Sequence, residues 1–367
     1  MSVNKPTVLA PASESAKLPG YSVRVENYMP DNDTESWLML GLSHKDIHSA
    51  HRRTQWMYEN NPAGRAVICT IRHNESEKEI GMLALSKRQI KTRSGIHSSG
   101  IFCDLVTDRS HRTLGPAIKL MQEALNNAKS HSLRRIYGWP NEKSVVLFKR
   151  LPSAKLGRVD IYRRYFNWSS IFSDHLPRLP AQVLGAVFKF ADNTLQWVLE
   201  QVNRQLYQVR EISEFDQHFD ALWSTASERY EEIGVRNAEF LNWRFCQNTE
   251  DDHRILAIYS RKTKKLTGYI VYRELNETSV EISDFLAIDS RFAERALLRA
   301  SSSYIRNKGY QKISVHFTGN SSTARNLWTC GFIKVGSQTS VHFHFSDGDD
   351  LVKPPHTHVT QADHDVG

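Results

Sequence analysis

Between Ser99 and Asn127 the chain reads SGIFCDLVTDRSHRTLGPAIKLMQEALNN: a short apolar run, a polar turn, then apolar residues at helical spacing. The run is Ile101 to Val106 and the turn Asp108 to Arg112, while Ala117, Leu120, Met121, Ala124 and Leu125 mark one face of a helix. Strand, turn and helix in direct succession confine the chain to architectures in which helices cover a sheet. At the join lies Arg112-x-x-Gly115-x-Ala117, with Pro116 at a first-turn position where a missing N–H costs nothing. Such a turn aims backbone N–H groups and the positive end of the helix dipole at one point, and small residues there let a phosphate approach. The residues read as an anion cradle. The same join occurs in many α/β proteins that bind nothing there. With one glycine it is not a dinucleotide fingerprint, and without Gly-Lys-Ser/Thr it is not a P-loop.

A chain of 367 residues can form two domains, each with its own core. Hydrophobic content of 40% and charged content of 24% are those of a globular protein. The net charge of +8 suggests an anionic partner, but the basic residues are scattered in short clusters, which argues against nucleic acid and for an anionic cofactor, substrate or membrane surface. Cys69, Cys103, Cys246 and Cys330 show neither metal spacing nor a disulfide framework, which favours a reducing compartment. The first twenty residues lack the apolar core of a secretion signal, and no stretch reaches the length of a membrane span, so the expected location is the cytoplasm.

Along the chain, Tyr21 to Asn27 alternates like a strand, and Ser36 to Tyr58 fits one or two helices. Arg65 to Arg72 and Ile80 to Arg88 read as strands joined by the hairpin His73 to Glu79, and a turn at Arg93 to Gly95 leads into the central strand. Arg134 to Trp139 is a short strand, Glu142 to Arg150 a brief helix, and Arg158 to Phe166 a candidate closing strand for this half. Leu176 to Leu206 is amphipathic, either an interdomain helix or a helix lying on a membrane surface. From Tyr207 the order recurs: strand Gln208 to Ile212, helix Asp216 to Arg229, and Trp243 in the place held earlier by Trp56. The hairpin Arg254 to Ser260 and Leu266 to Glu274, strand Val280 to Ile288, helix Glu294 to Asn307, strand Lys312 to Phe317 and helix Thr323 to Thr329 follow, with Asp284 standing where Asp104 stood. The expected division is a flexible leader at 1–20, domains at 21–170 and 207–346, a helical linker at 171–206 and a disordered tail at 347–367.

Arg112, Gly115 and Ala117 fill the three specified positions of a loop that resembles the acyl-CoA pyrophosphate loop of the GNAT acyltransferase superfamily. Asn61-Pro-Ala-Gly64 and the run Tyr137-Gly-Trp-Pro-Asn141-Glu-Lys-Ser144 look like a subgroup of it that is often built as tandem copies. The resemblance implies an α/β (α+β) fold of two tandem GNAT-like domains, each a mixed, mostly antiparallel sheet flanked by helices. It implies acetyl-CoA or another acyl-CoA as co-substrate, no metal, and a small amine as acceptor. Pyrophosphate would then sit against His111, Arg112, Thr113, Leu114, Gly115, Pro116 and Ala117. Pantetheine would pass Phe102, Cys103, Leu105 and Val106, and the amine would meet the thioester near Asp104, Trp139 and Asn141. The second copy reads Arg291-x-x-Glu294-x-Ala296, whose carboxylate would repel and crowd a pyrophosphate.

Acyl transfer to an amine needs an unprotonated nucleophile, oxyanion stabilisation and a proton for the thiolate. Asp104, a carboxylate within an apolar strand, is the candidate base, with the capping of backbone N–H groups as its plain alternative. The family's usual general acid, a tyrosine seven residues beyond the asparagine, falls here on Phe148, and its second-copy equivalent on Trp328; neither donates a proton, which leaves Tyr137 or a water. His342 and His344 alternate on one face of a strand, and with His356, His358 and His364 they read as a solvated tail rather than a metal site. The leading expectation is an N-acyltransferase acting on a small-molecule or sugar-derived amine, with polysaccharide or cell-envelope synthesis suggested by the subgroup. Its rivals are a catalytically silent GNAT-like binding or scaffold protein and an aminoacyl-tRNA-dependent transferase of the duplicated type. Oligomeric state is not encoded in any of these features.

Overall fold

The turn signals at His73 to Glu79 and Arg93 to Gly95 fold as hairpins, and the strands they join run further than their apolar cores. The computed structural model describes residues 20–30, 34–41, 47–166, 201, 205–248, 250–288, 291–345 and 357–364. β1 (Tyr21–Asn27), β2 (Val67–His73), β3 (Lys78–Thr92) and β4 (Gly95–Thr107) form an antiparallel meander. Ahead of β2 come helices α1 (Thr34–Gly41) and α2 (Ile47–Arg53) and a π-helical turn at Thr54–Glu59. After β4 come α3 (Leu114–Asn126), β5 (Arg135–Gly138), α4 (Val145–Phe148) and β6 (Lys155–Tyr165), with β5 parallel to β4.

The second half follows the same order of pairing. β7 (Tyr207–Ile212), β9 (His253–Ser260), β10 (Leu266–Asn276) and β11 (Ser279–Ala287) are antiparallel neighbours. Between β7 and β9 lie α5 (Gln217–Ser227), β8 (Glu232–Gly234), α6 (Ala238–Leu241) and a second π-helical turn, Asn242–Cys246. α7 (Arg291–Asn307) then leads to β12 (Lys312–Gly319), parallel to β11, and α8 (Ser321–Thr329) to β13 (Ile333–His344) and β14 (Thr357–Val359). Trp56 and Trp243, one in each π-helical turn, stack at 5.5 Å and exchange hydrogen bonds, each indole N–H donating to the other's carbonyl at 2.7 and 2.8 Å.

The closing strands do not stay with their own halves. β6 was expected to finish the first sheet, but it pairs with β12 and β13 of the second half, while β13 lies against β5 of the first. One sheet therefore runs β1-β2-β3-β4-β5-β13-β6-β12-β11-β10-β9-β7, and β8 and β14 link β3 to β12 so that eight of its strands close on themselves. The cores are exchanged with the strands. Val341 and Phe343 of β13 pack with Phe102, Leu120 and Met121 of the first half, while Tyr162 on β6 and Phe166 just beyond it pack with Leu297, Ile313 and Phe332 of the second. A third core, with Trp56, Tyr58 and Val106 on one side and Phe219, Trp243 and Tyr269 on the other, joins the halves face to face. Each side buries aromatic area that it would otherwise expose.

Leu176 to Leu206 lies outside the described residues except at 201, 205 and 206. Among the described residues no helix is long and apolar enough to cross a membrane. The tail read as disordered is ordered at 357–364, where it forms β14 and a 3-10 turn, Gln361–Asp363, inside the fold. Its polar side chains had signalled solvent; here they meet buried arginines instead.

Candidate active site

β4 and β5 bond to one another only from Ser99–Arg135 to Ile101–Tyr137, and beyond that pair they part. On its other side β4 carries a bulge: Met82 faces Val106 and Ala84 faces Cys103, so β4 holds one residue too many. Asp104 lies in it with φ 52°, a left-handed conformation uncommon for any residue but glycine and best tolerated by Asp and Asn. Close approach at the bulge also fixes Gly81, where an added Cβ would come within 2.5 Å of the Val106 carbonyl.

The Asp104 side chain is buried and, among the described residues, accepts from side chains rather than capping backbone N–H groups, the plain alternative raised by its place in the strand. It accepts from Arg53 Nε at 3.2 Å and Nη2 at 2.9 Å, and from the Tyr58 hydroxyl. Burial, and then the Asp104 charge, push the Tyr58 phenol well above its ordinary value, so it remains a donor. Arg53 reaches across to the second half with Nη1, 2.8 Å from Glu250, whose side chain is partly exposed. Arg53, Tyr58 and Glu250 were not singled out from sequence. The available signal was a buried carboxylate's need for a cation, with Arg53 three residues before Trp56.

At the cradle, Asp108 accepts from the Ser110 amide at 2.8 Å and from its hydroxyl, bonds that lower the Asp108 carboxyl. The next amides turn inward, His111 N–H to Asp108 O at 3.1 Å and Thr113 N–H to His111 O at 2.7 Å. Thr113 is the N-cap of α3, and its side chain makes no capping hydrogen bond among the described residues. Pro116 and Ala117 are buried while Arg112, Thr113 and Leu114 are exposed around the helix start. His111 faces Tyr21, whose hydroxyl lies 2.9 Å from its Nδ1, and His73, with ring centroids 5.0 Å apart.

Phe102 and Phe148 meet edge to face at 5.2 Å behind the parting strands, so the position of the family's tyrosine is a core contact. Asn141 is exposed and its side-chain oxygen accepts from the amides of Lys143 and Ser144 at 3.0 and 2.9 Å, ordering the turn into α4. Cys103 is buried, its thiol 3.4 Å from the Ala84 carbonyl; Leu105 and Val106 line opposite cores. Tyr137 is buried beside Ile90 and Ile101 and stacks on His342, and its hydroxyl has no hydrogen-bond partner among the described residues. Burial, and then the Asp363 charge, push that phenol upward, so it stays protonated. Trp139 stacks on His364 of the C-terminal segment at 4.5 Å.

The second half has its own bulge and its own parting, and there the gap is filled. β11 and β12 separate after Ile282–Val315, and β14 pairs with β12 at Thr318 and Gly319 in the space beyond. His358 sits 2.9 Å from the Phe285 carbonyl, and Thr360 donates to Asp284 at 2.6 Å. Asp284 is held by Arg236 and Tyr269 much as Asp104 is held by Arg53 and Tyr58. Asp363 completes the plug by joining Arg236 and, at 2.9 Å, Arg88 of β3. Burial alone would raise the Asp363 carboxyl, but the two guanidinium groups outweigh it and hold it at about 2. Glu294, at the cradle position of this half, is buried and bonded to Arg229 at 3.3 Å and Asn326 at 3.1 Å. Two of the histidines read as a solvated tail behave otherwise: burial first lowers His358 and His364 to about 3 each, while His356 lies outside the described residues. Among the described residues no group of three or more His, Cys, Asp or Glu is placed to hold a metal ion.

No family model matches the sequence, and no curated protein matches it. Solved structures do. A GCN5-related N-acetyltransferase from Anabaena variabilis superposes with a TM-score of 0.59 at 11% identity, covering 88% of this chain and 72% of that one. A probable N-acyltransferase from Enterococcus faecalis gives 0.58 at 12% identity over 88% and 72%. Saccharomyces cerevisiae N-myristoyltransferase with bound myristoyl-CoA gives 0.53 at 12% identity over 89% and 83%. The chain has the GNAT fold. Within it, the mixed sheet and flanking helices expected from the sequence are present, and the bulge at Asp104 marks where the GNAT strands β4 and β5 part.

Proposed function

We propose that the chain is an N-acyltransferase that binds acyl-CoA in its first half. The observation that carries this reading is an asymmetry between two similar partings of strands. The second is plugged by β14 and its cradle position holds a buried glutamate, while the first has no strand of the described residues beyond Ile101–Tyr137 and an uncapped helix start beside it. On this reading pyrophosphate is held by the α3 amides and Arg112, with His111 alongside. Pantetheine follows β4 from Phe102 to Val106, and the acceptor amine enters from the side of Trp139 and Asn141. The amine nitrogen attacks the thioester carbon, the thiolate leaves, and one proton passes from amine to sulfur. Asp104 has given its lone pairs to Arg53 and Tyr58, so its part is to fix the bulge, and the chain works mainly by positioning. Tyr137, protonated and with no hydrogen-bond partner for its hydroxyl among the described residues, is the phenol available to donate.

The acceptor is a small-molecule or sugar-derived amine, and the two halves are duplicated copies of one unit working in the cytoplasm. The acyl-CoA-bound yeast neighbour supports a thioester donor without specifying acetyl over longer chains. Calorimetry with acetyl-CoA and myristoyl-CoA tests the reading. Micromolar binding that disappears in Gly115→Glu supports it, and absence of heat with both ligands at millimolar concentration overturns it. Phe148 in place of a tyrosine favours a second reading, a GNAT-fold protein that binds acyl-CoA without turnover. Binding with no release of free thiol in the presence of amines would select it.

A further inference from the structure

We infer that the face built from α7, α8 and the start of β13 docks on an anionic phospholipid surface. Residues 291–338 carry Lys or Arg at 291, 295, 299, 306, 308, 312, 325 and 334 against a single acid, Glu294. That leaves seven of the chain's eight net positive charges in about an eighth of its length. Glu294 is buried and paired with Arg229, so it does not offset the charge presented outward. Of the acids outside this stretch, Asp160 of β6 lies 2.8 Å from Lys334, while Glu211 and Glu274 accept from the hydroxyls of Tyr304 and Tyr310 and Glu281 lies 3.7 Å from His316, so among the described residues Asp160 is the outside carboxylate paired with one of its lysines or arginines.

The same stretch exposes apolar side chains of the kind that enter a membrane interface. Phe292 is 79% exposed and Trp328 69%, the highest values among the exposed large hydrophobics of the described residues, and Ile333 and Val335 add 37% and 40%. The bond from Arg295 Nε to Asn326 at 2.9 Å ties the first turns of α7 to the last turn of α8, so Phe292 and Trp328 project from neighbouring ends of one helix pair. Aromatic and aliphatic side chains fringed by arginines suit the boundary of headgroups and acyl chains, where the rings insert and the cations meet phosphate. A nucleic acid would use the charge and the rings but has no use for exposed Ile333 and Val335. This inference is independent of the acyl-CoA reading.

The test is sedimentation of the full chain with phosphatidylcholine vesicles, with and without about one-third phosphatidylglycerol. Expected are pelleting with the anionic vesicles only, release at about 0.5 M salt, and binding at least ~10-fold weaker in Phe292→Ala/Trp328→Ala and in Arg325→Glu/Lys334→Glu. These side chains are exposed, and near-UV circular dichroism verifies that the variants fold. Equal pelleting with both vesicles, pelleting with neither, or unchanged binding by both variants overturns the inference. So does tighter binding to a DNA duplex that the apolar variant leaves unchanged.

Discussion

Asp104 combines a left-handed backbone, a buried carboxylate and bonds from Arg53 and Tyr58 at the point where two strands separate. Removing it by Asp104→Ala takes from buried Arg53 one of the two carboxylates it meets among the described residues, the other being Glu250, and loss of one partner of a buried pair costs about 3–5 kcal/mol. Urea unfolding should show that loss as a lower midpoint. Asp104→Asn keeps the backbone preference and the shape while removing the charge, so acyl-CoA binding should survive better than in the alanine variant. Comparing the two by calorimetry separates the geometry of the bulge from its charge. At this scale the sequence was informative about Asp104 and Gly115, because an acid in an apolar run and a small residue before a helix are local marks. A buried carboxylate's need for a cation is general, and it did not single out Arg53 or Tyr58, which approach from 51 and 46 residues away.

The C-terminal segment Thr357 to His364 acts as a strap between halves, and its titrating groups make it sensitive to acid. Below about pH 6.5 the unfolded chain takes up protons at His358 and His364 that the folded chain refuses until about pH 3. Stability should therefore fall as pH falls through that window, by up to about 1.4 kcal/mol per pH unit for each histidine. Asp363, depressed by its two arginines to about 2, adds to the decline below about pH 4, because the unfolded carboxylate protonates first. All three act in the same direction. Urea midpoints measured from pH 7 to pH 4 should show the slope, to which His253, lowered by burial to about 4, also contributes, and His358→Phe, which removes one titration within a ring of Tyr230, Phe285 and Phe317, should make it shallower by up to about 1.4 kcal/mol per pH unit. A slope unchanged in that variant would mean that His358 is not the buried neutral group. The strap was misread from sequence because its polar residues look solvated until Arg88 and Arg236 are seen to need a carboxylate.

Exchange of β6 and β13 makes each half depend on the other for a strand and for core side chains. With Trp56 and Trp243 bonded across the middle, the whole chain should unfold in one transition by circular dichroism and by tryptophan fluorescence together. Residues 21–170 made alone should lack a cooperative transition, since β6 has lost both strands it pairs with and Phe102 has lost Phe343. Two well-separated transitions in the full chain would show instead that the halves are stable units. Acyl-CoA binding in the first half should raise the single midpoint of the whole molecule.

Strand and helix positions, the turn that leads into α3 at Arg112 to Ala117 and the carboxylate of Glu294 at the matching place in the second half could all be read from residues alone, since apolar periodicity and turn chemistry act over a few neighbours. Which strands pair, and which of two similar gaps stays open, could not. Those outcomes depend on contacts between distant segments, as when Arg88 meets Asp363 across 275 residues, and such contacts leave no periodic trace in the chain. Tertiary packing decided them, because a buried guanidinium and an unpaired strand edge are each costly until the far end of the chain supplies a partner.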